Sequence, residues 1–333
     1  MPQNNVVIEY RNDPASIQYD DRIEIQQPLF LAVESIWAYI NQPTLNPQVH
    51  ISENAYIFDI KLFNKETVRE AVLNAIAHRS MIVQNDVVIK LSPNQLTITN
   101  AGGFPIGVDK SNVLTVNSTP RSKRLAEVLQ KTGLVEKSGQ GVDKMYTNCI
   151  MEAKPLPDFS ETDNYQVSLK LRTEIRDVPF LIYIRQEQAK RPQHHKLNVF
   201  QLIAIYNVCF DDGLDVPLAT IDTLLSEGIL QKSKSGKISM SKEYKKIASE
   251  IGVNRNNDDK VNDKVNDKVN DKVNDKVNDT YLIIKDNPGI QRKGISDFSS
   301  KSLSTIDRHI AILVKSGLVE HRGSDKTGGY YAK

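Results

Sequence analysis

Three polar side chains share one face of an otherwise apolar segment that has helical spacing. Glu70, Asn74 and His78 lie at positions i, i+4 and i+8 of the segment 66–80, so a helix presents them together. The remaining positions are mostly Val, Ala, Leu and Ile, which predicts a largely buried helix. A buried carboxylate and amide need polar partners. The spacing alone leaves two readings open, a ligand site or a capped, solvent-facing stripe.

Two glycine-containing turns follow this helix along the chain. One lies at a predicted strand end, Asn100-Ala101-Gly102-Gly103, and the other, Ser138-Gly139-Gln140-Gly141, opens a predicted helix. Glycine allows the backbone to approach a ligand closely, and N–H groups at a helix N-terminus favour phosphate. The three elements in this order predict a phosphate-binding site.

The order of these elements resembles the Bergerat-fold (GHKL) ATPase family. In that family a helix carries E-x-x-x-N, a strand end carries D-x-G, and a G-x-G lid precedes a helix. Four sequence segments are similar to one branch of this family, the RecG-type C-terminal ATPase domain of bacterial transcriptional regulators. They are REAVLNAIAHRS, ITNAGGFP, RSKRLAEVLQKTGLVEKSGQGVDKM and LPDF. The resemblance covers residues 1–175 and implies an α/β sandwich that binds ATP and Mg²⁺.

The resemblance also implies roles for individual residues. Glu70 matches the general base that orients the attacking water, and Asn74 matches the Mg²⁺ ligand. Asn100 departs from the family's Asp, which accepts a hydrogen bond from the adenine amino group; Asn is neutral and also donates, so nucleotide specificity stays open. The predicted nucleotide-binding set is Asn74, His78, Asn100, Gly102, Gly103, Gly139 and Gly141.

The segment 104–138, which corresponds to the family's lid, is basic. Its cations suit a triphosphate; they include Lys110, Arg121, Lys123 and Arg124. The family label mentions a helicase, but the sequence contains no G-x-x-x-x-G-K-[ST] loop, so helicase activity is not expected. Relatives often begin with an AlbA-like DNA-binding domain, and this sequence begins immediately before the ATPase-like region, so we expect that module to be missing or cut away.

A four-residue repeat, KVND, occurs five times between Lys260 and Asp279. On a helix each repeat advances about 400°, so the five valines drift by about 160° and form no fixed apolar face. Asn and Asp are also poor helix formers. Residues 254–280 are therefore predicted to form a solvated linker.

Residues 281–333 resemble a winged helix-turn-helix. The segment TYLIIKD predicts a short helix, NPGIQRKGIS is turn-rich, residues 301–315 predict a second helix, and the last residues predict two strands around a Gly-rich wing. This module carries nine basic and five acidic residues, which favours double-stranded DNA, although such a fold can also serve protein contacts. Arg308 is expected to read guanine. The predicted DNA contacts are Lys301, Ser304, Thr305, Arg308, Arg322 and Lys326.

Together these patterns predict an α+β chain: a Bergerat-type α/β sandwich with a mixed sheet and helices on one face, then one or two winged-helix domains. The predicted domains are residues 1–175, 176–253, the linker 254–280, and 281–333; the second contains a helix, a Gly turn and a basic hairpin typical of a winged helix. The sequence has two cysteines and no apolar run of membrane-spanning length, which predicts a cytoplasmic protein without a membrane partner. Many winged-helix proteins bind DNA as dimers, so a homodimer is expected.

Three functions fit this organisation. The first is a DNA-binding transcriptional regulator with an ATP-sensing domain. The second is an Mg²⁺-dependent ATPase of a defence or repair system. The third is a scaffold whose nucleotide site is degenerate. The pair Glu70 and Asn74 favours nucleotide chemistry over the third, and the C-terminal module favours the first over the second.

Overall fold

The computed structural model describes residues 5–53, 56–83, 85–116, 120–135, 141–211, 214–261, 280–281, 283–285, 287–299, 306–307, 309–310, 313–314, 318–322 and 328–332. The chain forms two compact units, Met1–Asn257 and Asp258–Lys333. The elements of the first unit, in chain order, are β1 (Val6–Tyr10), β2 (Asp21–Ile25), α1 (Leu29–Ile40), β3 (Gln48–Glu53), β4 (Tyr56–Lys61), α2 (Lys65–His78), β5 (Val87–Ser92), β6 (Gln95–Ala101), α3 (Lys123–Lys131), α4 (Gly141–Met151), β7 (Gln166–Arg172), α5 (Val178–Lys190), α6 (Val199–Phe210), α7 (Leu218–Ser226), β8 (Leu230–Lys232), β9 (Ile238–Met240) and α8 (Lys242–Val261), whose last turn passes the boundary.

A mixed five-stranded sheet forms one layer of the first unit. Its strand order is β2-β1-β5-β6-β7; β1 is parallel to β5, and the other pairs are antiparallel. Ile8 pairs with Ile89, Ile89 with Ile98, and Ile98 with Leu169, and all four are buried. Because side chains alternate between the faces of a strand, Asn100 lies on the same face as Ile98.

Helices cover that face of the sheet. Helix α2 packs against α1, α4 and β6, and its apolar side chains belong to the hydrophobic core shared with the sheet. A mixed sheet with a helical layer is an α/β sandwich, and this part of the predicted fold class is confirmed.

Residues after 175 share the same core. Phe180 and Tyr183 of α5 and Tyr206 of α6 are almost completely inaccessible to solvent, and they join one cluster with the sheet residues. The boundary between compact units lies at 257/258, whereas the sequence places a domain boundary after residue 175. Helix α8 also continues to Val261, beyond residue 254, where the linker is predicted to begin; no Pro interrupts the helix there.

Within the first unit, α6 and α7 are followed by the hairpin of β8 and β9. Asn198 caps α6 in a reciprocal capping box with Gln201, and the turn after α7 contains Gly228 at a φ of 75°. These elements occupy the segments where the sequence predicts a helix, a helix with a Gly turn, and a basic hairpin.

The second unit contains a core of small size. Its buried apolar residues are Ile284, Ile295, Ile306, Ile310, Leu313 and Val319. The elements that the structure describes there are α9 (Arg292–Ser299), β10 (Val319–Arg322) and β11 (Gly329–Ala332), the last two forming an antiparallel hairpin. Helix α9 corrects the prediction of a turn-rich segment: the turn signals of Pro288 and Gly289 precede the helix, and burial of Ile295 holds it in place.

Several predicted features fall outside the described residues. They are most of the KVND repeat and the expected DNA-contacting residues Lys301, Ser304, Thr305, Arg308 and Lys326. No helix in the described part of the chain is long and apolar enough to cross a membrane.

Candidate functional site

The N-terminus of α2 is fixed by a polar cluster. The Asn64 side chain accepts hydrogen bonds from the backbone N–H groups of Glu66 and Thr67, as an N-cap residue does. Its amide donates to Glu152 Oε1 at 2.7 Å. The buried Lys154 amine lies 2.6 Å from Glu152 Oε2 and donates to two backbone carbonyls, those of residues 61 and 62. This cluster ties the start of α2 to the end of α4.

The polar stripe of α2 faces a cavity of about 520 Å³ in the first unit. Glu70, Asn74 and His78 line it, together with Asn100 at the end of β6 and Gly141 at the start of α4. The structure therefore brings together predicted site residues that are far apart in sequence. The other walls are mainly apolar and include Val108, Val113, Leu114, Val116, Leu129, Val142 and Met145.

Gly141 lies directly against the Glu70 carboxylate. A Cβ atom at position 141 would lie 2.5 Å from Glu70 Oε2 and 3.7 Å from Asn74 Nδ2. Since non-bonded heavy atoms pack at about 3.5–4.0 Å, only glycine fits here without displacing the carboxylate. The side chain of Glu70 is buried, with its Oε1 atom 4.0 Å from Arg69 Nη1.

Asn74 lines the cavity and carries an unpaired polar atom. Its Nδ2 atom is inaccessible to solvent and has no hydrogen-bond partner among the described residues. Buried amides are normally paired. This N–H group is therefore a candidate partner for a ligand bound beside Asn74.

The end of β6 turns sharply beside the cavity. Gly102 has a φ of 86°, which glycine adopts without strain. A Cβ atom at Gly103 would lie 2.3 Å from the carbonyl oxygen of Asp163, so this position also requires glycine. Asn100 is buried, and its amide makes a long contact of 3.4 Å to the carbonyl of Ala101.

Arg121, in the basic segment that follows β6, contacts this turn. Its guanidinium donates to the carbonyl of Gly103 at 2.7 Å. Burial lowers the pKa of His78 below 6.5, and the nearby charge of Arg121 lowers it further. The His78 imidazole is therefore neutral at pH 7 and can either donate to or accept from a ligand.

Sequence reasoning missed one carboxylate in the cavity wall. Asp143 lies in the first turn of α4, and burial raises the pKa of its carboxyl group. Its position two residues after Gly141 could have suggested it, because the first turn of a helix faces the site that its N-terminus lines. The predicted Gly139 lies outside the described residues.

Arg322 is the one predicted DNA contact within the described residues. In β10 its guanidinium pairs with Glu320 and lies 4.9 Å from the ring centroid of Tyr331. These contacts hold the arginine on the surface of the β10–β11 hairpin.

Comparisons with known proteins find a family model that matches part of the first unit. Residues 84–171 match a family model described as "Putative ATP-dependent DNA helicase recG C-terminal". This range contains Asn100, the glycine turn and Gly141, and it begins after α2. No curated protein matches the sequence.

The fold is similar to that of a solved structure, the DIP2311 protein from Corynebacterium diphtheriae. The two share 19% sequence identity with a TM-score of 0.64 over 75% of this chain. The match spans 54% of that protein, so this chain corresponds to about half of its length. At this identity the comparison establishes the fold alone.

Proposed function

We propose that this protein is a DNA-binding transcriptional regulator whose first unit binds ATP with Mg²⁺ in the cavity between α2, β6 and α4. The observation that carries the nucleotide proposal is the convergence of Glu70, Asn74, His78, Asn100 and Gly141 on one cavity of about 520 Å³. The family model, which describes an ATP-dependent protein, supports the same chemistry.

The residues present fit a hydrated Mg²⁺ ion that is shared with phosphates. No group of three or more His, Cys, Asp or Glu side chains is placed to hold a metal within the described part of the chain. Mg²⁺ at nucleotide sites needs no such cage, because it keeps several waters and binds one or two protein oxygens plus the phosphates. Asn74 would supply one oxygen, and its unpaired N–H would donate to a phosphate. The ion would neutralise phosphate charge.

Glu70 is the proposed general base. Its carboxylate, held beside Gly141, would orient a water molecule and accept its proton as that water attacks the terminal phosphate. The apolar walls of the cavity would exclude other water. Asn100 would contact the nucleotide's purine ring through its amide. Because an amide both accepts and donates hydrogen bonds, Asn100 would select adenine less strictly than an Asp would.

The DNA-binding part of the proposal rests on the C-terminal unit. Helix α9 and the terminal hairpin of β10 and β11 accompany a small apolar core there, and the unit carries a positive surplus. This arrangement is typical of a winged helix-turn-helix, whose second helix enters the major groove. We also propose a homodimer, because many winged-helix proteins bind DNA as dimers.

Two variants on α2 test the nucleotide site. Glu70→Gln should retain nucleotide binding and lose hydrolysis by roughly 10²–10⁴-fold, because it removes a base and keeps the shape. Asn74→Ala should lose the Mg²⁺-dependent part of binding. Glu66→Gln is the matched control, since Glu66 lies on the same helix but its side chain is 53% exposed.

The assay combines binding of a fluorescent ATP analogue, with and without Mg²⁺, and release of phosphate, each repeated with duplex DNA. If both site variants bind and hydrolyse ATP like the parent, the site is wrongly assigned. If the parent binds no nucleotide, the scaffold function replaces the proposal. Hydrolysis that DNA does not influence would favour an ATPase of a defence or repair system.

A further inference from the structure

The densest positive charge of the first unit lies on the β8–β9 hairpin and the first turn of α8. Residues 231–246 contain six lysines and one acidic residue, a larger surplus than the whole 281–333 segment carries. All six lysines are exposed; they are Lys232, Lys234, Lys237, Lys242, Lys245 and Lys246.

The hairpin holds its lysines on a tight, ordered turn. The backbone N–H of Ser233 donates to the carbonyl of Lys237 at 2.9 Å, and Gly236 closes the turn at a φ of 85°. The Ser233 hydroxyl accepts from the Lys237 N–H at 3.1 Å. The lysines therefore project from a preformed support, which limits the conformational entropy lost on binding.

The first turn of α8 extends the same positive surface. Lys245 Nζ donates to the Ser239 hydroxyl of β9 at 3.2 Å, so the helix and hairpin are contiguous. Cations near a helix N-terminus oppose the helix dipole, so helix stability gives no reason for the lysines there. The acidic residue of the segment, Glu243, is already paired with Lys190 outside it.

Neighbouring negative charge does not neutralise the hairpin. Among the described residues, no ion pair involves Lys232, Lys234 or Lys237. We infer that the β8–β9 hairpin and the first turn of α8 bind the phosphate backbone of duplex DNA without reading its sequence.

This surface has no exposed apolar anchors among its described residues, which favours duplex DNA over other partners. None of the exposed large hydrophobic side chains of the described residues lies between 231 and 246, and Tyr244 is turned inward, with its hydroxyl 3.4 Å from Asp177 Oδ1. Single-stranded nucleic acids are bound largely through aromatic stacking platforms, protein interfaces are enriched in aromatic and Arg anchors, and interfacial membrane helices insert an apolar face. A regular array of duplex phosphates needs only the lysines.

Helix α7, which precedes the hairpin, explains why this surface is not expected to recognise the base sequence of DNA. In a winged helix, the helix before the wing supplies base contacts. Here that helix is α7, with the sequence LATIDTLLS, which contains Asp222 and no Lys or Arg. A carboxylate facing DNA opposes close approach to the groove. The hairpin is thus an anchor that raises affinity for any duplex, and this inference goes beyond the proposed function because it assigns a second DNA contact to the first unit.

The test compares two triple variants of the full-length chain on a random-sequence duplex. The hairpin variant is Lys232→Gln/Lys234→Gln/Lys237→Gln. The matched control removes the same charge from exposed lysines elsewhere in the first unit, as Lys65→Gln/Lys90→Gln/Lys131→Gln. Affinity is measured by fluorescence anisotropy over a range of salt concentrations, and thermal melting checks that both variants fold.

Each phosphate contact contributes about 0.9 to the slope of log affinity against log salt concentration, so losing three should flatten it by roughly 2.7. The control should keep the parental slope. Equal slopes for the two variants would overturn the inference, as would a parent that binds no duplex at low salt. A dependence on the hairpin lysines that is seen with single-stranded RNA or phosphatidylserine vesicles, and not with duplex, would also overturn it.

A further arm separates this inference from DNA binding by the C-terminal unit. Arg308→Ala/Lys326→Ala should weaken binding to a duplex selected by the parent from a random library and leave the hairpin-dependent slope intact. If that variant removes all salt-dependent binding while the hairpin variant removes none, the hairpin inference fails and the proposed function stands. The opposite result would assign DNA binding to the hairpin and refute DNA binding by the C-terminal unit.

Discussion

Gly141→Ala perturbs the candidate site by one methyl group. The new Cβ would lie 2.5 Å from Glu70 Oε2, about 1 Å short of ordinary van der Waals contact. Gly141 is the first residue of α4 and has no positive φ, so its backbone accepts Ala. The carboxylate, as the end of a side chain, must therefore retreat by about 1 Å.

A displacement of about 1 Å in a catalytic group typically costs about 100-fold in rate. We expect phosphate release to fall by about that factor. The free energy of unfolding should change by less than about 1 kcal/mol, because Ala is the better helix former and offsets part of the crowding. Nucleotide binding should weaken less than hydrolysis, since Asn74 lies farther from the new methyl group, with 3.7 Å to its Nδ2 atom.

Phosphate release, binding of a fluorescent ATP analogue and thermal melting measure these three quantities on one preparation. Shortening the carboxylate in the double variant Gly141→Ala/Glu70→Asp relieves the contact, so the second change should cost less in the Ala background than in the parent. Such non-additivity identifies residues in contact. If Gly141→Ala hydrolyses ATP at the parental rate, the Glu70 carboxylate is not required at this place and the assignment of the base is refuted.

Two further predictions concern titration and stability. Burial, and then the charge of Arg121, lowers the pKa of His78 in the folded state. The unfolded chain therefore takes up more protons as the pH falls below 6.5, and the free energy of unfolding decreases there. In urea unfolding series His78→Gln should flatten this loss, and an unchanged pH profile of stability would contradict the prediction. Lys154→Met leaves the partly buried Glu152 carboxylate without its 2.6 Å partner, although Asn64 still donates to it, so the free energy of unfolding should fall by about 1–3 kcal/mol. A loss well below about 1 kcal/mol in chemical denaturation would contradict a stabilising role for this pair.

The elements with strong local signals could be predicted from the sequence. The apolar periodicity of 66–80 and the cap at Asn64 predict α2, and the structure confirms both. Residues 86–100 alternate and contain a short turn, which predicts the β5–β6 hairpin that forms. Their signals arise from interactions within a few residues.

Weakly patterned elements could not be predicted. Strand β2, with the sequence DRIEI, is an edge strand with largely exposed side chains, so it lacks a clear apolar alternation. Strand β3 is similar, with four of its six residues exposed. Helix α9 could not be predicted because Pro288 and Gly289 indicate a turn immediately before it. The helix is stabilised by tertiary burial of Ile295, which no local pattern indicates.

For the candidate site, the sequence pattern predicts which residues converge, but it does not predict which atoms contact each other. The stripe on α2 follows from helical spacing, and the cavity contains it. The approach of Gly141 to Glu70 and of Arg121 to Gly103 joins residues 71 and 18 positions apart. Such contacts depend on how layers pack, which no local pattern encodes.

The Tyr206 hydroxyl has a consequence for dividing this chain into fragments. It donates to the carbonyl of Lys154 at 3.0 Å and accepts from Arg176 at 2.8 Å. A fragment that ends at residue 175 would remove Arg176 and Tyr206 together with Phe180 and Tyr183. It would expose the apolar surface of α4 that these rings cover and leave the Lys154 carbonyl without its donor. Expressed alone, residues 1–175 should therefore associate through that surface, whereas a fragment that extends to residue 257 keeps the core covered.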